Sequence, residues 1–305
     1  MTNPSIHGVI PYLVSPVGPD GRVLEAPLRH LIDDLVEAGV HGLTPLGSSG
    51  EFAYLNAEQR EAVVATSIAA AAGRVPVLPG VAAAATFDAA QQARRYADLG
   101  ADGLVVTMTP YFPPTSDALV RFFVDVAAAV DLPIVIYTNP QFQGYAIPPE
   151  AIEGILAEAP NVRYLKDASG NTARLQTLRR LFGDRLGLFA ASAHLPVSVL
   201  QLGGLGIMSG PACLLPRPLI ELYEHVRAGR TAEALALQAS LSALNDLFLR
   251  FQLASCVKAG LEHLGYAVGD PIAPQAPLSA AQRAELAAVL DRLGAVRARP
   301  TPDGA

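Results

Sequence analysis

Lysine is nearly absent from this chain of 305 residues. Of its 22 basic residues only two are lysines, Lys166 and Lys258, and the rest are arginines. Because a guanidinium stays protonated, arginine cannot act as an amine nucleophile, so a retained lysine invites a chemical reason. Lys166 ends an apolar run at residues 161–166, which predicts a buried strand that delivers one amine to a loop. Lys258 lies in a helical pattern and is expected on a helix surface.

Other scarce features exclude whole classes of protein. Cys213 and Cys256 are too few for a disulfide framework, and no apolar run reaches the roughly 18 residues of a spanning helix. The first residues resemble no secretory signal, so we expect a cytoplasmic protein without a membrane partner. A net charge of −6 without a basic stripe argues against a nucleic-acid partner. With 51% hydrophobic and 16% charged residues, the chain can form a sizeable core.

Short apolar runs alternate with amphipathic stretches along most of the chain. Each run is bounded by Gly, Pro or Asp, as expected for strands that crossover helices bury on both faces. The predicted strands are Gly8–Val14, Gly42–Leu46, Pro76–Gly80, Gly103–Thr107, Pro133–Tyr137, Val162–Lys166, Leu186–Ala191 and Gly206–Ser209. The predicted helices are Glu25–Ala38, Ala57–Ala72, Phe87–Leu99, Asp117–Val130, Pro148–Glu158, Thr172–Leu181, Leu195–Leu202, Leu219–Ala228, Thr231–Phe251, Ala254–Leu264 and Ala280–Leu293.

Eight strands in βα alternation predict an α/β fold, a TIM (β/α)8 barrel with a C-terminal helical extension. We expect the barrel over residues 1–228, the extension packed on it over 229–296, and a frayed tail over 297–305. A doubly wound open sheet is the alternative, although that fold usually has fewer strands and a glycine-rich dinucleotide turn.

In such a barrel, catalytic groups lie at the C-terminal ends of the strands. The loop Gly47-Ser48-Ser49-Gly50 offers backbone N–H groups and hydroxyls that suit a small carboxylate. Its alternative interpretation is a tight turn that needs glycine only for its backbone geometry. Tyr137 ends the strand before that of Lys166, where a phenol can relay protons, although a structural tyrosine is also common there. Glu51 is expected to hydrogen-bond within the loop or across a subunit contact.

Lys166 itself has two interpretations. It can extend from the strand end towards solvent or pair with Asp167. The second interpretation is a nucleophile that forms a Schiff base, and the scarcity of lysine and the position at a barrel mouth favour it. Desolvation favours the neutral amine, which attacks a ketone carbon. The six histidines show no metal-ligand spacing, and we predict neither a metal nor another cofactor.

Three segments together resemble the dihydrodipicolinate synthase / N-acetylneuraminate lyase family of class I aldolases. They are Gly-Ser-Ser-Gly-Glu at 47–51, Tyr-Thr-Asn-Pro at 137–140 and Leu-Lys-Asp-Ala-Ser-Gly at 165–170, and supporting matches extend from Gly8 to Gly265. The resemblance implies a TIM barrel, a homotetramer built from dimers, and a Schiff base between Lys166 and pyruvate or another 2-oxo acid.

The resemblance also implies roles for individual residues. It assigns the substrate carboxylate to Ser48 and Ser49, within the loop that begins at Gly47. It assigns proton transfer at the imine carbon to Tyr137. It places Ile207 near the apolar position that packs against the methyl side of pyruvate.

Three departures from the family pattern bear on the substrate. Phe142 stands where synthases proper have an arginine for the distal carboxylate of the aldehyde, and an apolar ring makes no such contact, so we predict another activity. In the segment 110–114, either Tyr111 supplies a relay tyrosine that reaches a neighbouring subunit, or Phe112 takes its place and the relay is broken. Residues 192–194, Ser-Ala-His, replace a more usual Gly-Asp/Asn pattern and alter the far end of the pocket.

The predicted function is that of a Schiff-base lyase acting on a 2-oxo acid. It would cleave or condense pyruvate and an aldehyde, or eliminate water, and Phe142 favours an apolar or aromatic aldehyde with an aldolase or hydratase-aldolase activity. A sugar-acid dehydratase that uses a deoxy-oxo sugar acid is the alternative within this class. A non-catalytic relative that binds a 2-oxo acid is the alternative outside it.

Overall fold

The computed structural model describes residues 6–191 and 195–299, and its sheet contains seven parallel strands in those residues. They are β1 (Gly8–Pro11), β2 (Gly80–Ala83), β3 (Leu104–Met108), β4 (Ile134–Thr138), β5 (Val162–Asp167), β6 (Gly187–Ala190) and β7 (Gly206–Ser209). The spatial order is β1-β7-β6-β5-β4-β3-β2. Nearly all of their residues are buried, because the barrel interior covers one face and helices cover the other.

The segment 41–46 closes this sheet into a barrel. On one side it bonds the chain after β1, through the parallel bridge Tyr12–Thr44. On the other side it bonds residues 76–80, through the parallel bridge Leu43–Val77, and that segment leads directly into β2. The two edges of the sheet are therefore joined, and the predicted TIM barrel is confirmed.

Two of the predicted strands are less regular than expected. Gly42–Leu46 forms isolated bridges, and Pro76–Gly80 does the same before the regular strand β2 begins at its last residue. Pro45, Pro76 and Pro79 have no backbone N–H to donate to a neighbouring strand, which interrupts the regular hydrogen-bond pattern.

All of the predicted helices are present, with ends within three residues of their predicted positions. They are α1 (Glu25–Glu37), α2 (Ala57–Ala71), α3 (Thr86–Asp98), α4 (Ser116–Ala127), α6 (Pro149–Glu158), α7 (Thr172–Phe182), α8 (Pro196–Gln201), α9 (Pro216–Arg227), α10 (Thr231–Arg250), α11 (Leu253–Leu264) and α12 (Ala280–Arg292). A short helix, α5 (Pro140–Gln143), was not predicted. Capping boxes start α2 at Asn56 with Gln59 and α12 at Ser279 with Gln282.

Two hydrophobic clusters separate the inside of the barrel from its outside. The larger one fills the space between strands and helices. The smaller one lies inside the barrel and includes Ile10, Tyr12, Tyr137, Phe189 and Met208. Successive strand residues point to opposite faces, so every strand except β2 supplies both clusters.

The C-terminal helices pack against the barrel and complete one side of its mouth. Helix α11 contacts the turn at residues 48–50 as well as α10 and α12. At the start of the predicted frayed tail, Ala298 donates to the carbonyl of Leu264 at 2.8 Å and Arg299 pairs with Asp34. Residues 300–305 lie outside the described part, and the division at residues 228 and 229 stays a prediction. No helix of the described residues is long and apolar enough to cross a membrane.

Candidate active site

Lys166 lies near the C-terminal end of β5 with only 3% of its surface exposed. Burial holds the pKa of its amine well below the ordinary value of a lysine. No carboxylate of the described residues forms an ion pair with it. Asp167, the expected alternative partner, binds Arg174 instead, with Oδ2 2.7 Å from Nε. Within the described part of the chain, the amine is therefore buried without a counter-ion.

Two tyrosine rings flank the amine. Nζ of Lys166 lies 3.5 Å from the ring centroid of Tyr12 and 4.1 Å from that of Tyr137. The two rings meet edge to face, with centroids 6.3 Å apart. Tyr12 was not predicted as a site residue, because at the end of an apolar run it is indistinguishable from a core tyrosine.

Tyr137 stands directly beside Lys166 in the pairing of β4 with β5. Its hydroxyl lies 3.2 Å from Oγ of Ser48 and accepts a hydrogen bond from Nδ2 of Asn139 at 3.0 Å. Burial raises the pKa of this phenol, while its hydrogen bonds with Ser48 and Asn139 act in the opposite direction. The phenol stays protonated at neutral pH and can donate a proton next to the amine.

The turn at residues 47–51, which we call the serine turn, brings Ser48 and Ser49 to the same cavity as Lys166. Oγ of Ser49 donates to the carbonyl of Tyr12 at 2.7 Å, whereas the side-chain partner of Ser48 within residues 6–191 and 195–299 is Tyr137. Gly47 does not line the cavity, and a Cβ on it would lie 2.2 Å from the ring of Tyr12. The serine turn thus needs this glycine for close packing on Tyr12 and not for its backbone geometry, because its φ of −76° is one that any residue adopts.

Two non-glycine residues at the serine turn adopt left-handed backbone conformations. Leu46 precedes the turn with φ 60° and Glu51 ends it with φ 56°. Such conformations cost about 1–3 kcal/mol each and persist only where the surroundings impose them, often at functional sites.

Lys258 supplies part of those surroundings, and its predicted surface position is wrong. It is fully buried, and Nζ lies 2.6 Å from Oε2 of Glu51 and donates to the carbonyl of Asp270 at 3.0 Å. The other carboxylate oxygen of Glu51 accepts from the backbone N–H of Ile272 and from Gln275. The predicted hydrogen bonding of Glu51 within its own loop is therefore replaced by contacts with α11 and the segment after it.

The cavity over Lys166 is small and opens into a larger cleft. The inner cavity has a volume of about 170 Å³, and Ser209, which was not predicted, also lines it. The outer cleft has a volume of about 860 Å³. Phe142 lines both and is 62% exposed, and its predicted contact with substrate stays a prediction.

The predicted contact of Ile207 with substrate is contradicted by the direction of its side chain. Ile207 packs in the cluster between strands and helices, whereas its neighbour Met208 points into the barrel. Successive residues of a strand point to opposite faces, so Ile207 and Met208 lie on opposite sides of β7. The altered segment Ser192-Ala193-His194 lies outside the described residues.

Tyr111 is not brought to Lys166 by this chain. It is 90% exposed, packs edge to face on Phe112 with centroids 4.9 Å apart, and lines neither the inner cavity nor the outer cleft. Among residues 6–191 and 195–299, no three His, Cys, Asp or Glu side chains are grouped so that they could hold a metal ion.

A barrel that holds a desolvated amine beside a protonated phenol at its strand ends has the architecture of a Schiff-base-forming lyase. Comparison with known proteins agrees with this class. The model of the dihydrodipicolinate synthetase family matches residues 5–293, which is nearly the whole chain. The chain therefore belongs to the dihydrodipicolinate synthetase family and is a class I lyase of the aldolase type.

Relatives with assigned names share about a third of the sequence. The 4-hydroxy-tetrahydrodipicolinate synthase of Sorangium cellulosum (strain So ce56) is 34% identical over 298 residues, which cover 97% of this chain and 99% of that protein. A protein of the same name from Methanospirillum hungatei JF-1 is 35% identical over 289 residues, covering 94% and 99%. The names of these relatives are compatible with synthase activity in this chain, whereas Phe142 predicts a different activity.

Solved structures share the fold closely. Dihydrodipicolinate synthase from Aquifex aeolicus superposes with a TM-score of 0.91 at 26% identity, covering 96% of this chain and all of that one. YagE, a prophage protein of this family from E. coli K12 solved in complex with pyruvate, gives a TM-score of 0.89 at 27% identity, covering 95% and 99%.

Proposed function

We propose that this protein forms a Schiff base between Lys166 and pyruvate. It then condenses the bound pyruvate with an apolar or aromatic aldehyde, or catalyses the reverse cleavage that releases such an aldehyde. One observation carries the proposal. The amine of Lys166 is buried with no carboxylate partner among the described residues, beside a phenol and a turn that offers two serines to the same cavity. The inner cavity of about 170 Å³ suits a substrate of pyruvate size.

Each group has a role in imine formation. Lys166, held neutral by burial, attacks the ketone carbon of pyruvate. Tyr137 passes a proton to the ketone oxygen, which leaves as water. The serine turn holds the carboxylate, through the hydroxyl of Ser48 and the backbone N–H of Ser49, because the hydroxyl of Ser49 already donates to Tyr12.

The outer cleft supports the choice of aldehyde. Its lining is rich in aromatic and aliphatic side chains, namely Phe52, Phe142, Phe248, Leu249, Phe251 and Leu253. Among the described residues, one arginine lines the cleft, Arg60. Its Nε already donates to the carbonyl of Phe52 at 3.1 Å. An apolar or aromatic group gains more from such a surface than a carboxylate does.

The names of the relatives favour a second candidate, condensation with a carboxylate-bearing aldehyde. A sugar-acid dehydratase and a non-catalytic 2-oxo acid-binding protein are the remaining alternatives. Substrate panels separate the three enzymes, and trapping followed by the absence of any turnover identifies the binding protein.

Borohydride reduction with pyruvate tests the first step. We expect an irreversible mass gain that peptide mapping places on Lys166. The Lys166→Arg variant should show no mass gain. The peptide that contains Lys258, the other lysine of the chain, is the internal control and should carry no adduct in either protein. An adduct that persists in Lys166→Arg, or none in the unaltered protein, contradicts the proposal.

Exchange of Phe142 tests the aldehyde. The Phe142→Arg variant should lose kcat/KM with aromatic aldehydes and gain it with carboxylate-bearing ones, since arginine binds a carboxylate with two hydrogen bonds. Phe142→Leu, which keeps an apolar side chain, serves as the control. A preference of the unaltered protein for the carboxylate-bearing aldehyde would instead favour the activity named for the relatives.

We also propose that the protein assembles as a homotetramer, a dimer of dimers, and acts in the cytoplasm. The exposed pair of Tyr111 and Phe112 supports an assembly in which Tyr111 extends the proton relay of a neighbouring subunit. The expected result is a tetrameric mass in solution, and slower turnover by Tyr111→Phe than by Phe112→Leu. A monomeric, fully active protein would contradict this arrangement.

A further inference from the structure

We infer that Tyr12 is a catalytic residue whose ring face stabilises the positive charge of the imine on Lys166. The inference rests on the proposed function, because it concerns the nitrogen that reacts there. Tyr12 contacts this nitrogen more closely than any other ring does in the described residues, at 3.5 Å from Nζ to its centroid, against 4.1 Å for Tyr137.

Imine formation creates a positive charge on the nitrogen of Lys166, where the described residues provide no carboxylate partner. The lone pair of the neutral amine forms the C–N bond, and the carbonyl electron pair moves to oxygen. That oxygen takes one proton from the amine and one from outside, which Tyr137 relays, and leaves as water. The remaining iminium carries one positive charge, and no carboxylate of the described residues forms an ion pair with this nitrogen.

Aromatic faces are the stabilising groups that the site does provide. The quadrupole of a ring attracts a cation over its face, and the attraction grows when both are shielded from water. Tyr12 is 1% exposed and Lys166 is 3% exposed, so little water competes. A neutral amine gains less from such a face than an iminium does, and Tyr12 therefore favours the charged intermediate over the free enzyme.

The hydroxyl of Tyr12 is not the group that this role needs. It is buried and has no hydrogen-bond partner among the described residues. Removing an unpartnered buried hydroxyl costs little stability. Tyr12→Phe therefore keeps the ring face and serves as the starting point for a graded test.

The test replaces Tyr12 by phenylalanine and then by phenylalanines with one to three ring fluorines, which weaken the negative ring face with little change of shape. The equilibrium constant for the pyruvate adduct is measured from the trapped fraction against pyruvate concentration. We expect Tyr12→Phe to stay within about threefold of the unaltered protein, and the trifluorinated ring to weaken the adduct about tenfold further. The logarithm of the constant should fall steadily with each fluorine at an unchanged Tm.

Phe189 provides a matched control. It belongs to the same cluster inside the barrel and stands beside Lys166 in the pairing of β5 with β6, but its ring makes no contact with Nζ comparable to that of Tyr12. Fluorination of Phe189 should leave the adduct constant unchanged. An equal effect at both positions, or none at position 12, would overturn the inference while the trapped adduct still upholds the proposed function. Absence of any adduct in the unaltered protein would instead refute the proposed function itself.

Discussion

Lys166 and Lys258 are both buried, at 3% and 0% exposure, yet their surroundings are opposite. Lys166 faces two tyrosine rings and has no anionic partner in the described residues. Lys258 has the carboxylate of Glu51 at 2.6 Å and the carbonyl of Asp270 at 3.0 Å. An amine without an anion is driven towards its neutral, nucleophilic form, whereas an amine with one serves as a structural cation.

The serine turn lies between the two lysines and connects their roles. Ser48 bonds Tyr137 on the side of Lys166, and Glu51 binds Lys258 on the side of α11. The buried ion pair therefore ties the turn to the C-terminal helices while its other side faces the reacting amine. One lysine performs the proposed chemistry, and the other holds the turn that supports it.

The two lysines should differ most, in both borohydride trapping and stability to urea, when each is replaced by methionine. Lys166→Met is expected to abolish borohydride trapping completely, because no amine remains in the cavity. The same variant should unfold at a higher urea concentration than the unaltered protein, since methionine fills the site without the cost of burying an amine. Lys258→Met should unfold at a lower urea concentration than the unaltered protein. A Lys166→Met protein less stable than the unaltered one would contradict the idea that only Lys258 stabilises the fold.

The stability gap between Lys166→Met and the unaltered protein should depend on pH. Burial lowers the pKa of Lys166 in the folded protein, while the unfolded chain has a lysine pKa of about 10.4. Between these two values the unfolded state binds more protons, so the stability of the unaltered protein rises with pH. Methionine has no such dependence, so the stability advantage of the variant should narrow as the pH rises towards the unfolded-state pKa of about 10.4. A constant gap would show that the amine is protonated in the folded state.

Removing the proton donor affects only the chemistry at Lys166. Tyr137→Phe should slow imine formation by about 10²–10⁴-fold, the usual contribution of a positioned proton donor. Pyruvate binding should stay largely intact, because the serine turn is unchanged. Trapping stopped at timed intervals measures the rate, and Tyr12→Phe, which removes the hydroxyl of the other flanking tyrosine but keeps its ring, serves as the comparison. Unchanged kinetics would remove Tyr137 from the mechanism.

Breaking the other pair affects stability first. Lys258→Met leaves Glu51 buried without its cation and should lower the free energy of unfolding by about 3–5 kcal/mol. Adding Glu51→Gln in the same protein should restore most of that loss, because both charges are then absent. Denaturant unfolding of the two single variants and the double variant forms a complete cycle. Additive losses would mean that the two groups do not interact.

The barrel and the core of the site were predictable because their signals are local. Buried strands are short apolar runs, so the sequence alone places Tyr137 and Lys166 at strand ends. The serine turn was recognisable from its glycines and hydroxyls. Irregular strands at residues 42–46 and 76–80 were harder, because prolines interrupt the ladder without changing the apolar pattern.

Long-range contacts account for the errors. Lys258 follows a helical pattern, and only the packing of α11 on the serine turn makes it a buried partner of Glu51. Tyr12 precedes Lys166 by more than 150 residues and becomes its neighbour only when the barrel closes. Ile207 and Met208 differ by one register step, which decides whether a side chain enters the barrel.

The smallest expected effect comes from the serine turn itself. Ser48→Ala removes the hydroxyl that bonds Tyr137 and, in the proposed mechanism, the carboxylate of pyruvate. A neutral hydrogen bond contributes about 0.5–1.5 kcal/mol, so the pyruvate adduct should weaken by about 3- to 10-fold. The free energy of unfolding should change little, because Ser48 is only half-buried. Ser49→Ala is the informative partner, since its hydroxyl donates to the buried carbonyl of Tyr12 and its loss should reduce stability as well. Equal effects of both variants on trapping and on unfolding would mean that the turn does not separate a substrate side from a structural side.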